Sequence, residues 1–195
     1  MYKKYVKRAI DVILSGAGIV VLAIPMLIIA LAIKLDSKGP VLFKQKRVGL
    51  HKTYFEIYKF RTMRIDTPHD APTHELADPE QWITKVGKIL RKTSLDELPQ
   101  LFNVFKGDMS FVGPRPERQY FIDKIRRENP NYDYVFLMRP GLTSMATVYN
   151  GYTDTMEKML VRLDMDLEYL KTRSLWVDIK LIFITVFYIV NGKKF

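Results

Sequence analysis

Apolar and polar positions fall into contrasting stretches along the chain. Residues 12–33 run for 22 positions without a charge, VILSGAGIVVLAIPMLIIALAI. A straight helix of that length is roughly 33 Å long, about the thickness of the hydrocarbon core of a bilayer. The run is too long for a signal-peptide core, and no small-residue cleavage site precedes Lys34. It predicts a membrane element, with a buried soluble helix as the weaker alternative. Pro25 lies inside it. Proline lacks an N–H and its ring clashes with the carbonyl four residues back, here Val21, which favours a bend. Gly16 and Gly18 add flexibility to the first arm. Lys3, Lys4, Lys7 and Arg8 precede the run; Lys34, Lys38, Lys44, Lys46 and Arg47 follow it. Both flanks are therefore expected on the cytoplasmic face, which one crossing cannot deliver. A re-entrant helix-break-helix can. A single-pass helix with a tolerated proline is the competing reading. Residues 1–38 are read as this anchor and residues 39–195 as a compact domain on the same face.

Ser37-Lys38-Gly39-Pro40 is a turn that ends the anchor. Residues 41–48 and 53–63 are rich in β-branched and aromatic side chains and predict a hairpin around residues 49–52. Residues 64–82 hold Pro68, Pro72 and Pro79, scattered acids, His69 and His74, and read as a surface loop or lid. Short helical pieces are expected at 86–92 and 101–105, the second stopped by Gly107. Gly113-Pro114-Arg115-Pro116 must be extended or turned, because residues before proline avoid the helical region. Residues 117–128 read as a helix ended by Asn129-Pro130. Met156, Met159, Leu160, Leu163, Leu167 and Leu170 keep helical spacing, with Asp154 and Glu157 as a capping pair. Residues 177–190 are apolar apart from Asp178 and Lys180. At about 21 Å this helix is short for a span, so it packs in the core or lies at the membrane interface. Helices outnumber strands, which makes the fold mainly α with a small β-hairpin, α+β in class.

Composition narrows the partners. The formal charge of +10 comes from 31 Lys and Arg against 21 Asp and Glu. A basic surplus suggests a polyanion: nucleic acid, anionic lipid or a nucleotide diphosphate. Tyr58-Lys59-Phe60-Arg61 interleaves bases and aromatics as nucleic-acid sites do, but the anchor argues against nucleic acid. There is no cysteine, so disulfides and thiolate chemistry are excluded. No P-loop or dinucleotide fingerprint occurs, and His51, His69 and His74 form no ligand cluster.

Ser94-Leu95-Asp96-Glu97-Leu98-Pro99 is the most informative stretch. Ser94 and Glu97 match the S-x-x-E capping box, and acids in a first turn suit the helix dipole. Pro99 prefers the first helical position, which would leave Asp96-Glu97 in the approach loop. The register stays open. The functional reading uses the same geometry. Adjacent carboxylates can hold Mg²⁺ and leave positions for substrate phosphates, and one can attack phosphorus to give an acyl-phosphate. The free N–H groups of a helix start favour phosphate, and nearby cations are expected to keep both acids ionised. Those cations are Lys59, Arg61, Lys88, Arg91, Lys92, Arg115 and Arg118. Arg115 stands between two prolines, so its backbone is stiff and its planar fork is aimed. Arg139-Pro140-Gly141 repeats the device more weakly.

These pieces resemble the bacterial sugar transferase family, the monotopic phosphoglycosyl transferases. The matching motifs are Lys7-Arg8-x-x-Asp11, Gly39-Pro40-Val41-x-Phe43-x-Gln45-x-Arg47-x-Gly49, Tyr58-Lys59-Phe60-Arg61-Thr62-Met63 and Thr84-Lys85-Val86-Gly87. They continue through Ser94-Leu95-Asp96-Glu97-Leu98-Pro99-Gln100-Leu101-x-Asn103-Val104 and Lys106-Gly107-Asp108-Met109-Ser110-Phe111-Val112-Gly113-Pro114-Arg115-Pro116 to Arg139-Pro140-Gly141. The resemblance implies that Asp96 attacks the β-phosphate of a UDP-sugar, releases UMP and keeps the phosphosugar until polyprenol (undecaprenyl) phosphate takes it. Glu97 would assist, through Mg²⁺ held with Asp96 or by handling a proton. Lys59, Arg61, Arg91, Arg115 and Arg139 would contact phosphate or nucleotide. It also implies entry into one leaflet of the bacterial inner membrane, a catalytic domain at the cytoplasmic face, contact with membrane lipid, a minimal form of the family and a possible homodimer.

Three departures stand out. Ile24 precedes Pro25 where the family often has Ser. Gln81-Trp82 replaces an Asp-x-Arg pattern. Residues 142–151, expected to line the sugar or nucleotide pocket, differ from the usual run. Two rival functions use the same residues: a Mg²⁺-dependent phosphatase or pyrophosphatase at the membrane, and a non-enzymatic basic scaffold for anionic lipid.

Overall fold

The uncharged run does not make one helix. In the computed structural model, which describes residues 2–67, 78–151 and 155–191, it forms α1 (Lys7–Val21) and α2 (Ala23–Asp36), bent by 60° at Leu22. Pro25 accounts for the site of the bend, since it offers the Val21 carbonyl no N–H. The bonds on either side survive, Leu22 N–H to the Gly18 carbonyl at 2.9 Å and Met26 N–H to the Leu22 carbonyl at 2.8 Å. Among the described residues no single helix is long and apolar enough to cross a membrane, but the bent pair together meets that length and composition. Val20, Val21, Ile24, Leu27 and Leu31 point outward along the pair. An exposed apolar face of that extent marks a surface that meets something other than water.

The inner face of α1 is part of the core. Phe105 and Leu101 on α4 (Gln100–Lys106) lie so near Gly16 and Gly18 that a Cβ at either glycine would sit 3.3 Å from them. These glycines therefore serve close packing. Asp11 is buried and accepts from the Ser110 hydroxyl and the Phe111 N–H, each at 3.1 Å. Arg8 donates to the Val104 and Phe105 carbonyls at 2.6 and 2.8 Å, satisfying the C-terminus of α4. Helix α1 is thus bolted to the rest of the chain.

The expected hairpin is present as β1 (Leu42–Val48) and β2 (Tyr54–Phe60), antiparallel, with Leu42 opposite Phe60 and Val48 opposite Tyr54. A second, unexpected sheet pairs β3 (Ser110–Val112) in parallel with β4 (Gly141–Thr143). It requires Gly113: a Cβ there would lie 2.2 Å from the Arg139 carbonyl oxygen. The remaining helices are α3 (Lys85–Thr93), α5 (Gln119–Glu128), α6 (Met145–Tyr149), α7 (Met156–Thr172) and α8 (Leu175–Val190).

Helix α5 starts two residues later than its periodicity predicts, because Arg118 is extended and the Glu117 carbonyl takes the Val48 N–H at 3.2 Å. The α7 cap is Thr155, whose hydroxyl accepts from the Lys158 N–H at 3.3 Å. Asp154 lies outside the described residues, as do Pro68, Pro72, His69 and His74 of the expected lid. Ile122, Ile125, Tyr132, Val135, Phe136 and Leu163 form one core between α5, α7 and the turns of Pro130–Leu137. Each such side chain contributes roughly 1.5–3 kcal/mol by leaving water. Helix α8 packs into the core through Leu181 and leaves Trp176, Phe183 and Phe187 exposed.

Candidate active site

The turn that carries Asp96 and Glu97 is set by Ser94. Its backbone is left-handed, φ 57°, and its N–H closes α3 on the Leu90 carbonyl. A short 3-10 turn, Leu95–Glu97, follows, and Pro99 immediately precedes the first residue of α4. This decides the register: the two acids stand in the approach turn. The capping box does not form. The Ser94 side chain makes no cap bond; its carbonyl accepts the Glu97 N–H at 3.2 Å. Leu98, packed on the cluster of Ile33, Phe60 and Leu90, pins the turn between the anchor, the hairpin and α3. The N–H groups of Leu101 and Phe102 bond the Leu98 and Pro99 carbonyls, so this seven-residue helix does not present them to a ligand.

Lys59, at the end of β2, donates to Glu97 Oε1 at 2.5 Å. Arg91, on the last turn of α3, donates through Nε to the Thr62 hydroxyl at 2.9 Å, and its charge acts on Asp96. Its helix sits close because residue 87 is glycine: a Cβ there would lie 2.1 Å from the Thr62 carbonyl oxygen. Arg115 is half exposed and acts on Glu97.

Two of the five expected contacts lie elsewhere. Arg61 is buried and donates to the carbonyls of Ser37 and Lys38, so it caps the exit of α2. Arg139 donates through Nε to the Gly107 carbonyl at 2.9 Å and neighbours Arg8. Residues 142–151 supply β4 and α6, the latter capped by the Ser144 hydroxyl accepting from the Thr147 N–H at 2.9 Å.

One cation was missed. Arg47 senses Glu97, and it donates to Gln45 Oε1 at 2.6 Å and to the Pro116 carbonyl at 2.9 Å. In the sequence it counts among the basic residues that follow the apolar run, and not among the cations near Asp96-Glu97. The available signal was its spacing from Gln45, two residues apart on one face of the strand.

The two acids are driven in opposite directions. Burial raises Asp96, helped by the neighbouring Glu97, and outweighs the pull of Lys59 and Arg91. Burial also acts upward on Glu97, but Lys59 and Arg115 together overcome it and hold Glu97 below the usual carboxylate range. The cations pull both acids down, as expected, but at Asp96 burial outweighs them. The two adjacent carboxylates thus sit in different electrostatic surroundings, Asp96 governed by burial and Glu97 by its cations.

Among the described residues there is no cluster of three or more His, Asp or Glu that could enclose a metal ion. The donor set is two carboxylates, one already engaged by Lys59. That set suits Mg²⁺, which binds through one or two carboxylates, keeps waters and takes substrate phosphate oxygens. It does not suit an all-protein cage.

A carboxylate pair ringed by fixed cations, beside a bent apolar helix pair, suits a phosphorylated substrate near a lipid phase. The profile of the bacterial sugar transferase family matches residues 2–192, and the chain belongs to that family. It is 41% identical over 189 residues to the UDP-N-acetylgalactosamine-undecaprenyl-phosphate N-acetylgalactosaminephosphotransferase of Aeromonas hydrophila, covering 96% of this chain and 44% of that one. It is 45% identical over 184 residues to the UDP-glucose:undecaprenyl-phosphate glucose-1-phosphate transferase of Caulobacter vibrioides, covering 92% and 68%. A third relative, the exopolysaccharide production protein PSS of Rhizobium leguminosarum bv. phaseoli, is 40% identical over 189 residues, with 92% of each chain covered. The chain thus spans less than half of the Aeromonas relative's length.

Proposed function

We propose that this protein transfers a phosphosugar from a UDP-sugar to undecaprenyl phosphate or a similar polyprenol phosphate, in two steps. The Asp96 carboxylate attacks the β-phosphorus; the bond to the bridging oxygen breaks and UMP leaves. The acyl-phosphate formed on Asp96 is then attacked by the phosphate oxygen of the polyprenol acceptor, which frees Asp96 and yields a polyprenol diphosphosugar. The carrying observation is the Asp96-Glu97 turn itself, with Lys59 on Glu97 at 2.5 Å and Arg91, fixed by Thr62, acting on Asp96.

Lys59 and Arg115 bring positive charge to the edge where phosphate charge shifts during each displacement. Mg²⁺, held by Asp96 and Glu97 with the donor's phosphate oxygens, would supply Lewis-acid neutralisation of the diphosphate. Arg91, held by Thr62, orients the donor beside Asp96. The bent pair α1–α2 enters one leaflet of the inner membrane and returns, leaving the site on the cytoplasmic face within reach of a lipid-borne acceptor. Relatives named for N-acetylgalactosamine and for glucose fit one chemistry with different sugars.

The test is UMP release from a panel of UDP-sugars, with and without polyprenol phosphate, joined to mass spectrometry of the trapped enzyme. UMP with a phosphosugar adduct on Asp96 is expected. An adduct on any other residue overturns the nucleophile, and sugar phosphate released without acceptor favours a phosphatase.

A further inference from the structure

The Pro114-Arg115-Pro116 strap is fastened on both sides of Arg115. The Gly113 N–H bonds the Thr143 carbonyl at 3.0 Å, and the Gly141 N–H bonds the Pro114 carbonyl at 2.9 Å. Arg47 holds the Pro116 carbonyl at 2.9 Å, and the Val48 N–H holds the Glu117 carbonyl at 3.2 Å. Two prolines fix their own φ as well. What freedom remains belongs to the Arg115 side chain, which is 50% exposed.

Glu117 lies beneath that side chain and is 9% exposed. Arg162, on α7, reaches its Oε1 at 3.0 Å. Arg47 stands 3.7 Å from Oε2, and Arg115 Nε stands 3.7 Å from Oε1. The first is a close ion pair; the other two are longer than hydrogen bonds and hold by charge. One arginine is therefore tied firmly from below and two are tied loosely from the side facing the site. Burial pushes Arg47 down to about 10, with Arg115 and Arg118 adding repulsion and Glu117 opposing it. Glu117 is thus the counter-charge that lets these guanidinium groups stand together. Arg47 and Arg115 both interact with Glu97, so the group borders the dyad.

We infer that Glu117 is a positioning residue: anchored by Arg162, its carboxylate holds Arg47 and Arg115 side by side against the Asp96-Glu97 turn and gives Arg115 up to the incoming diphosphate. The identity of that anion rests on the function proposed above. The exchange follows from distance. A 3.7 Å ion pair is weaker than the forked contact at 2.7–2.9 Å that a guanidinium makes with phosphate. Without the Glu117 charge the site would be more positive and would bind anions more tightly. It would also aim them less well, so affinity and turnover should move in opposite directions.

The experiment uses the full chain in lipid nanodiscs, with inorganic pyrophosphate binding by calorimetry at fixed ionic strength and steady-state turnover of the active UDP-sugar. Glu117→Gln should tighten pyrophosphate about 3-fold or more and lower kcat about 10-fold, with KM unchanged or reduced. Arg115→Gln should weaken pyrophosphate about 10-fold. In the double variant the gain from Glu117→Gln should largely vanish, since it acts through Arg115. Glu117→Asp keeps the charge for Arg162 and should lower kcat in the same direction by less; it decides the matter if Glu117→Gln does not fold. Additive effects in the double variant, or a folded Glu117 variant with wild-type kcat, overturn the inference. If no UDP-sugar is turned over, the proposed reaction fails while the pyrophosphate cycle still decides the role of Glu117.

Discussion

Lys59 meets Glu97 at 2.5 Å, and Lys7 pairs in the same way with Asp178. The chemistry of the two pairs is alike and their surroundings are not. Asp178 is 7% exposed and also accepts from the hydroxyls of Tyr2 and Tyr169. Three donors from the N-terminal segment, α1 and α7 close on this one carboxylate, so α1 and the residues before it are locked to α8. Glu97 is 37% exposed and stands on a turn beside a second carboxylate. A buried acid saturated with donors cannot offer its oxygens to a ligand; an open one with a single strong donor can. The number of donors, more than the charge of the partner, separates the structural pair from the site. A residue count of acids and lysines would not have told them apart.

The sharpest break in this comparison is Asp96→Asn. An amide cannot form the acyl-phosphate, so UMP release should fall by at least about 10³-fold. Pyrophosphate binding should persist, because the cations remain. Retained turnover with the amide would move the chemistry away from this turn.

Next in size is Lys59→Met. Glu97 loses the cation that holds it below the ordinary range, so its carboxyl titrates at higher pH. If catalysis needs Glu97 ionised, the acid limb of the kcat/KM profile shifts upward, and activity near neutrality drops about 10²-fold. A fall in activity with an unmoved acid limb would assign Lys59 to the substrate alone.

On the closed side, Asp178→Asn leaves the Lys7 ammonium without a counter-charge in a site where it is only 15% exposed. Breaking a buried pair from one side costs about 3 kcal/mol or more, which lowers Tm by roughly 6–12 °C in a domain of this size. The kcat of the folded fraction should stay near wild type. A kcat loss matching that of Lys59→Met would dissolve the distinction between the two pairs.

Much of this was legible in the chain. The bend near Pro25 and the hairpin follow from local rules, a missing N–H and β-branched runs, whereas the Asp96-Glu97 turn stayed open between cap and approach loop until the fold placed Pro99 just before α4. What failed was tertiary. Arg61 and Lys59 are two residues apart in the β2 segment, yet the first caps the α2 exit and only the second reaches Glu97. Gly16 and Gly18 read as flexible and turned out to be contact points for Phe105 and Leu101. The parallel β3–β4 pair joins segments about thirty residues apart, beyond any local pattern. Glu117 read as a helix start because nothing nearby announces the three arginines that converge on it.

The smallest effect tests the turn itself. In a capping box, Ser94 would satisfy an N–H with its hydroxyl, and replacing it with glycine would cost a few tenths of a kcal/mol. Ser94 instead closes α3 in the left-handed region at φ 57°, with no side-chain cap bond. A non-glycine residue pays roughly 1–2 kcal/mol there, and glycine does not. Glycine also raises the entropy of the unfolded chain, which offsets part of that gain. Ser94→Gly should therefore raise stability by about 0.5 kcal/mol, seen as a small increase in Tm with unchanged kcat. The sign decides: a lower Tm would restore the cap. An unchanged kcat would show that backbone geometry, more than the hydroxyl, presents Asp96.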